Sequence, residues 1–431
     1  MSSDDVRQLL FDGAARPSQS VDVGVIQRKG RILRRVRVAS MSMLGVAAVV
    51  GVALAATNLD SLVPSERRIA EPNNPVAISE GWTDLALPPE VHDGMSIVWA
   101  GSRLLAWGGC DAAEDDHCAP TADGYEFDPV TRSWQRLENA PVAGANANAV
   151  WTGSEAIFLF GANDRPMGQA YDPATSTWRT IATASTAIRR GAVVVWTGSE
   201  VVVWGGGDPG NASVVRGAAY DPVDDVWRRI ADAPLGLNRA DGMWTGREMI
   251  VFGSLLDSRN IAGTSTSVGA AYDPVTDEWR ELPPSRLSPQ ATSAAWVGNR
   301  MVAWDYEVHS QWYDSTTDTW SAPVEMPLDF DECYPDSVVA RDLVFAFFCG
   351  RATLFDTDSE EWKEIHGGPL DEEIESEGGN PAHKLWRFAQ LASTGDTVFM
   401  LAEGITVQPS GEVCHGCPGS PESFWAYRPP A

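Results

Sequence analysis

The side chains able to do chemistry in this chain of 431 residues fall at recurring places. His92, Asn146, Arg189, Arg190, Asn238, Arg239, Gln290, Asp336 and Arg387 each stand at the entry to an apolar run. All nine hydrogen-bond, and four are arginines, whose planar fork suits carboxylate or phosphate groups. The competing reading makes each arginine a structural bridge to an acidic residue of the neighbouring repeat.

Nucleophile and metal chemistry have thinner support. There is no Gly-x-Ser-x-Gly elbow and no phosphate loop. The six histidines form no paired ligand set with tyrosine. The acidic runs at Asp329–Asp336 and Asp371–Glu377 lack the alternating ligand spacing of a calcium loop and read as solvated loops. Cys414-His415-Gly416-Cys417, joined by His117 and Cys118, has the outline of a zinc site, but one Cys-x-x-Cys is a weak signal. The expectation is no metal and no cofactor.

Two short patterns define the elements that must position these residues. The first reads Trp-Thr-Gly-Ser-Glu, an apolar run, then Gly; it falls at Trp151, Trp196 and Trp244, and more loosely at Trp99 and Trp296. The second reads Tyr-Asp-Pro followed by Trp, at Tyr171–Trp178, Tyr220–Trp227 and Tyr272–Trp279. Looser copies are Tyr125–Trp134, Tyr313–Trp320 and Phe355–Trp362. Such a period, rich in β-formers, implies an array of like units. Each unit reads as four strands, a to d. Asp-Pro forms the c–d turn, and the second Trp opens strand d.

Two fragments are left over. Trp82 begins a d-type strand with no a, b or c strand before it. Phe424–Tyr427 is a c-type strand with no d strand after it. Each completes the other, so the N-terminal strand should close the ring as the outer strand of the last blade. Seven apolar b strands can be counted, which gives a seven-bladed, all-β propeller over 81–431.

The Gly-Gly after strand b (Gly108-Gly109, Gly205-Gly206), the Tyr before the c–d turn and the spaced Trp resemble the kelch repeat. The resemblance covers roughly residues 80–430 and weakens in the last two blades. It implies a kelch-type propeller, a superfamily that includes binding modules and a few enzymes, among them copper-dependent oxidases. In this topology the d–a and b–c loops share a face, so the nine residues above should meet at the mouth of the central channel. The same topology favours three local disulfides: Cys110–Cys118, Cys333–Cys349 and Cys414–Cys417.

The chain has 32 Lys+Arg against 59 Asp+Glu. Residues 1–57 hold eight basic and four acidic residues, leaving 24 against 55 for the rest. A domain this negative repels nucleic acid. Val38–Thr57 is an uncharged apolar segment preceded by six Arg and Lys between Arg28 and Arg37. As a helix it is long enough to cross a bilayer, and the basic flank places residues 1–37 in the cytoplasm. The rival reading is a cleaved signal peptide ending at Ala53-Leu54-Ala55, but the charged region ahead is long for that. Residues 58–80, with Pro64, Pro72 and Pro75, read as a linker. The expected whole is a single-pass cell-membrane protein whose extracytoplasmic propeller binds a protein, peptide or glycan. The alternative is a cell-surface enzyme acting on a sugar at the channel mouth.

Overall fold

Each repeat folds into one four-stranded antiparallel sheet for reasons visible in blade 3. Strands a to d are Ala192–Trp196, Val201–Gly205, Gly217–Asp221 and Val226–Arg229, hydrogen-bonded in that order. Strands a and b are mostly valine, which suits a pleated surface buried on both faces. The a–b turn is tight: Thr197 Oγ1 accepts from the backbone N–H groups of Ser199 and Glu200, and Gly198 takes φ 95°. At the c–d turn, Asp221 Oδ1 accepts from the N–H groups of Val223 and Asp224.

The computed structural model describes residues 78–430 apart from 113–117, 163–164, 185–190, 207–214, 256–266, 289–292, 306–308, 328–335, 349–350, 369–372, 376–380, 408–412 and 415–421. Seven such blades are present. Their inner strands are Ser96–Ala100, Asn148–Trp151, Ala192–Trp196, Leu237–Trp244, Ser293–Val297, Asp336–Ala340 and Pro381–Ser393. Each touches the next, and the seventh touches the first, so the ring is closed. Among the described residues no helix is long and apolar enough to cross a membrane; Val38–Thr57 lies outside them.

Closure takes the expected form. The seventh sheet is completed by Gly81–Leu85, which pairs antiparallel with Glu422–Arg428 and sets Trp82 opposite Tyr427. Arg428 ties the joint further, donating to the Ile78 carbonyl and pairing with Asp396 at 2.9 Å. One assignment shifts. In blade 1 it is Phe127, two residues past Tyr125, that stands opposite Trp134, as Tyr171 stands opposite Trp178 in blade 2.

Blades are joined by the strand-d tryptophans. Trp178 packs on Trp107 of blade 1, Trp279 on Trp204 of blade 3 and Trp320 on Phe252 of blade 4. The indole N–H groups of Trp134, Trp178, Trp227, Trp279 and Trp320 each donate to a backbone carbonyl just after strand d of the blade before. Burying an aromatic of this size stabilises by about 2–3 kcal/mol. The repeat therefore supplies most of the core.

A second joint runs along the face of the a–b and c–d turns. The Glu of Thr-Gly-Ser-Glu and the Arg after the strand-d Trp form a two-pronged pair within a blade: Glu155–Arg179, Glu200–Arg228 and, by the equivalent Glu, Glu248–Arg280. The same arginine donates to the Tyr hydroxyl of the next blade, Tyr220, Tyr272 or Tyr313. That hydroxyl in turn donates to Asp225, Asp277 or Asp318. Asp225 and Asp277 also accept a backbone N–H from the preceding blade. Bridging arginines do exist in this ring, then, but these are not the arginines at the strand-a entries.

Candidate functional site

The opposite face, carrying the d–a and b–c loops, differs from blade to blade. Its geometry is set by where each inner strand begins. The inner-strand residue opposite the large b-strand aromatic defines one level round the axis. It is Ser96 in blade 1 (opposite Trp107), Val193 in blade 3 (Trp204), Asp241 in blade 4 (Phe252), Ser293 in blade 5 (Trp304) and Asp336 in blade 6 (Phe347). Two carboxylates thus share a level, from blades 4 and 6.

Asp241 reaches across to blade 5. Its Oδ2 accepts from the Ala294 N–H at 2.7 Å, and the Ser293 hydroxyl also donates to it. Burial nevertheless outweighs these bonds and pushes its carboxyl up to about 6. Asp336 is raised further, to about 7, first by burial and then by the charge of Asp241; the Ser337 N–H opposes this in part. Protein surrounds Asp336 densely, yet its side chain is exposed to solvent. It opens the inner strand of blade 6, Asp336–Ala340. Two carboxyl groups so placed can accept hydroxyl or ammonium groups of a ligand.

His92 and Asn146 come together elsewhere on this face. The Asn146 N–H donates to the Gly94 carbonyl at 2.8 Å, which joins the entry loops of blades 1 and 2. Asn146 has φ 52° and an exposed side chain. His92 does not project freely. Its Nδ1 lies 2.8 Å from Asp111 and its Nε2 3.0 Å from Asp123, and its side chain is only 10% exposed. A backbone bridge between Asp93 and Cys110 brings the b–c hairpin alongside the histidine. Gly109 permits this approach, since a Cβ there would lie 2.5 Å from the His92 Cβ. Burial pushes Asp123 up, but hydrogen bonds from His92 and from its own backbone outweigh it and hold the carboxyl low. Glu90 accepts from the Tyr125 hydroxyl at 2.8 Å, and burial with that bond raises the phenol to about 12.

Arg189, Arg190 and Gln290 lie outside the described residues. Asn238 and Arg239 fall in the inner strand of blade 4, at a register irregularity between Asn238 and Asp241. Arg387 sits at a like irregularity in blade 7, between Trp386 and Phe388. Asp241, Glu90, Asp111 and Asp123 were missed by sequence reasoning. Cys110 is disulfide-bonded. It opens the hairpin in which Ala112 faces Cys118. Cys414 begins no long element, falling in the short strand Val413–Cys414, and Cys333, Cys349 and Cys417 lie outside the described residues.

The chain is a seven-bladed β-propeller with one face clamped from blade 2 to blade 5 and a variable face that gathers acidic side chains and a histidine. No family model matches it, and no curated protein does. Among solved structures, that of YjhT is similar with 11% identity and a TM-score of 0.46, covering 65% of this chain and 99% of that one. The fold assignment rests on the strand pairing itself.

Proposed function

We propose that this propeller is the ligand-binding module of a membrane-anchored kelch-type protein, and that it binds at the mouth of its channel. The observation that carries the reading is the pair Asp241 and Asp336, set at one level from blades 4 and 6. Carboxylates there accept sugar hydroxyls, and the arginines of the same entries, Arg189, Arg190, Arg239 and Arg387, suit an acid group. An acidic glycan fits both; a peptide with an acidic end fits the arginines alone. Anchoring follows from Val38–Thr57 and its basic flank, with the propeller outside the cell. The three local disulfides belong to the same reading, and the bonded state of Cys110 supports the first of them. The test is titration of the full-length protein in detergent with acidic and neutral oligosaccharides. Asp336→Asn and Asp241→Asn should each weaken glycan binding at least tenfold. Unchanged binding by both variants would place the site elsewhere. Protease added to intact cells should release the acidic domain; its recovery free in the medium, beginning near Ala56, would defeat the anchor.

A second reading, catalysis on a sugar, has one specific observation in its favour. A carboxyl raised to about 7 beside another carboxylate is poised to give and take a proton near neutral pH. Turnover of a bound glycan, lost in Asp336→Asn while binding persists, would favour the enzyme over the binding module.

A further inference from the structure

The network around His92 is more than a satisfied histidine. Glu90, His92 and Asp123 each offer a ligand atom, and the three atoms lie within 4.8 Å of one another. We propose that Glu90, His92 Nε2 and Asp123 form a binding site for a divalent transition-metal ion, zinc by its chemistry, with Asp111 orienting the histidine.

Four features of the geometry carry this. First, the ligand set is mixed: one imidazole and two carboxylates match zinc, while the imidazole disfavours magnesium and calcium. Second, the spacing is close to what an ion needs. With metal–ligand bonds of about 2.0–2.2 Å, tetrahedral ligand atoms stand about 3.3 Å apart. His92 Nε2 and Asp123 Oδ2 are already 3.0 Å apart, with Glu90 within reach. Third, both inner ligands are held in place. The side chains of His92 and Asp123 are each only 10% exposed, and the Asp93–Cys110 bridge fixes the loop that carries the histidine. Fourth, the outer contacts are those of a metal-bound histidine. Asp111 takes the Nδ1 side at 2.8 Å, which leaves Nε2 to face the ion, and the Tyr125 hydroxyl steadies Glu90.

In the metal-bound form the Nε2 lone pair goes to the ion, any proton on Nε2 being released to solvent, and Nδ1–H donates to Asp111. Three protein ligands leave a fourth position for water or a substrate atom, as in open zinc sites. The site lies in blade 1, on the same variable face as Asp241 and Asp336, and does not depend on the channel-mouth reading.

The experiment titrates Zn²⁺ into full-length protein in detergent, stripped with a chelator under non-reducing conditions. The expected result is one Zn²⁺ per chain and a higher Tm. His92→Gln and Asp123→Asn should abolish this binding, and Asp111→Asn should weaken it 10- to 100-fold. Glu90 is exposed, so Glu90→Gln should leave the metal-free Tm unchanged while lowering zinc affinity at least tenfold, whether or not His92→Gln folds. X-ray absorption should show imidazole nitrogen and oxygen around the zinc. Sulfur in that shell would assign the metal to Cys414 and Cys417 and overturn the proposal, as would full affinity in Glu90→Gln or no stoichiometric binding by the parent.

Discussion

Replacing Asp336 by asparagine should stabilise the propeller at pH 8 and leave it nearly unchanged near pH 4. The native environment lifts this carboxyl from its ordinary 3.8 to about 7. A folded-state pKa above the unfolded one means that the native state holds the proton more tightly. The stability it contributes is complete below pH 4 and is lost as pH rises through 7. At about 1.4 kcal/mol for each tenfold change in proton affinity, that rise sets an upper limit of about 4 kcal/mol. The side chain is exposed to water, so screening reduces this to about 1–2 kcal/mol. Asparagine imitates the protonated acid in shape and never ionises. Urea unfolding of parent and variant at several pH values between 4 and 8 gives the difference directly, and pH effects common to both cancel. Asp241→Asn should move the transition in that difference to lower pH, because it removes the charge that helps to raise Asp336. A stability difference that stays constant from pH 4 to 8, or an asparagine variant that is weaker at pH 8, would refute the raised carboxyl at Asp336.

Four further outcomes concern other parts of the ring. Arg228→Ala should cost about 1–3 kcal/mol in chemical denaturation, since it breaks the bonds to Glu200 and Tyr272. Its neighbour Arg229, 59% exposed and paired among the described residues with Asp232 alone, should change stability by less than about 0.5 kcal/mol when made alanine. Gly368→Ala should open the closing blade. Its Cβ would lie 2.5 Å from Trp82 Cγ at a φ of 63°, so a loss of about 1–3 kcal/mol is expected, read as a lower Tm and earlier proteolysis at the N-terminal strand. Non-reducing peptide mapping should recover Cys110 joined to Cys118; Cys110 joined to any other cysteine would contradict the local pairing.

The repeat made most of the architecture legible before any coordinates. Trp82 and Tyr427 could be matched across the whole chain because each is a fragment of a pattern seen complete elsewhere, and they pair as that pattern requires. The Glu–Arg–Tyr–Asp joint was also present in the repeat, at fixed distances from the Trp in blades 2 to 4. It went unread because the Glu, Arg and Asp each look like a solvated surface charge, and the Tyr was explained by the repeat alone. The site was less legible. The irregularity between Asn238 and Asp241 moves Asp241 to the level of Asp336, so that counting from the repeat selects Asn238 and Arg239 as the entry residues. Tyr125 was absorbed into the repeat by a loose match, while the register gives that place to Phe127 and leaves the Tyr125 hydroxyl to bind Glu90. Glu90, His92, Asp111 and Asp123 have no motif spacing. Only the docking of a b–c hairpin onto an entry loop brings them together.

The seam of the seventh blade also dictates an order of events during synthesis. The bond from Arg428 to Ile78 joins residues 350 positions apart. A nascent chain that has made six blades still carries its first strand without a partner, and the ring cannot shut until the final strand has emerged. Throughout that interval Gly81–Leu85 is a loose β-segment bearing an exposed tryptophan. Contacts this distant in sequence form slowly, and an unpaired edge can recruit another chain. Truncation near the C-terminus should therefore do more than trim the ring. It should leave the N-terminal strand free to complete the open blade of a second molecule.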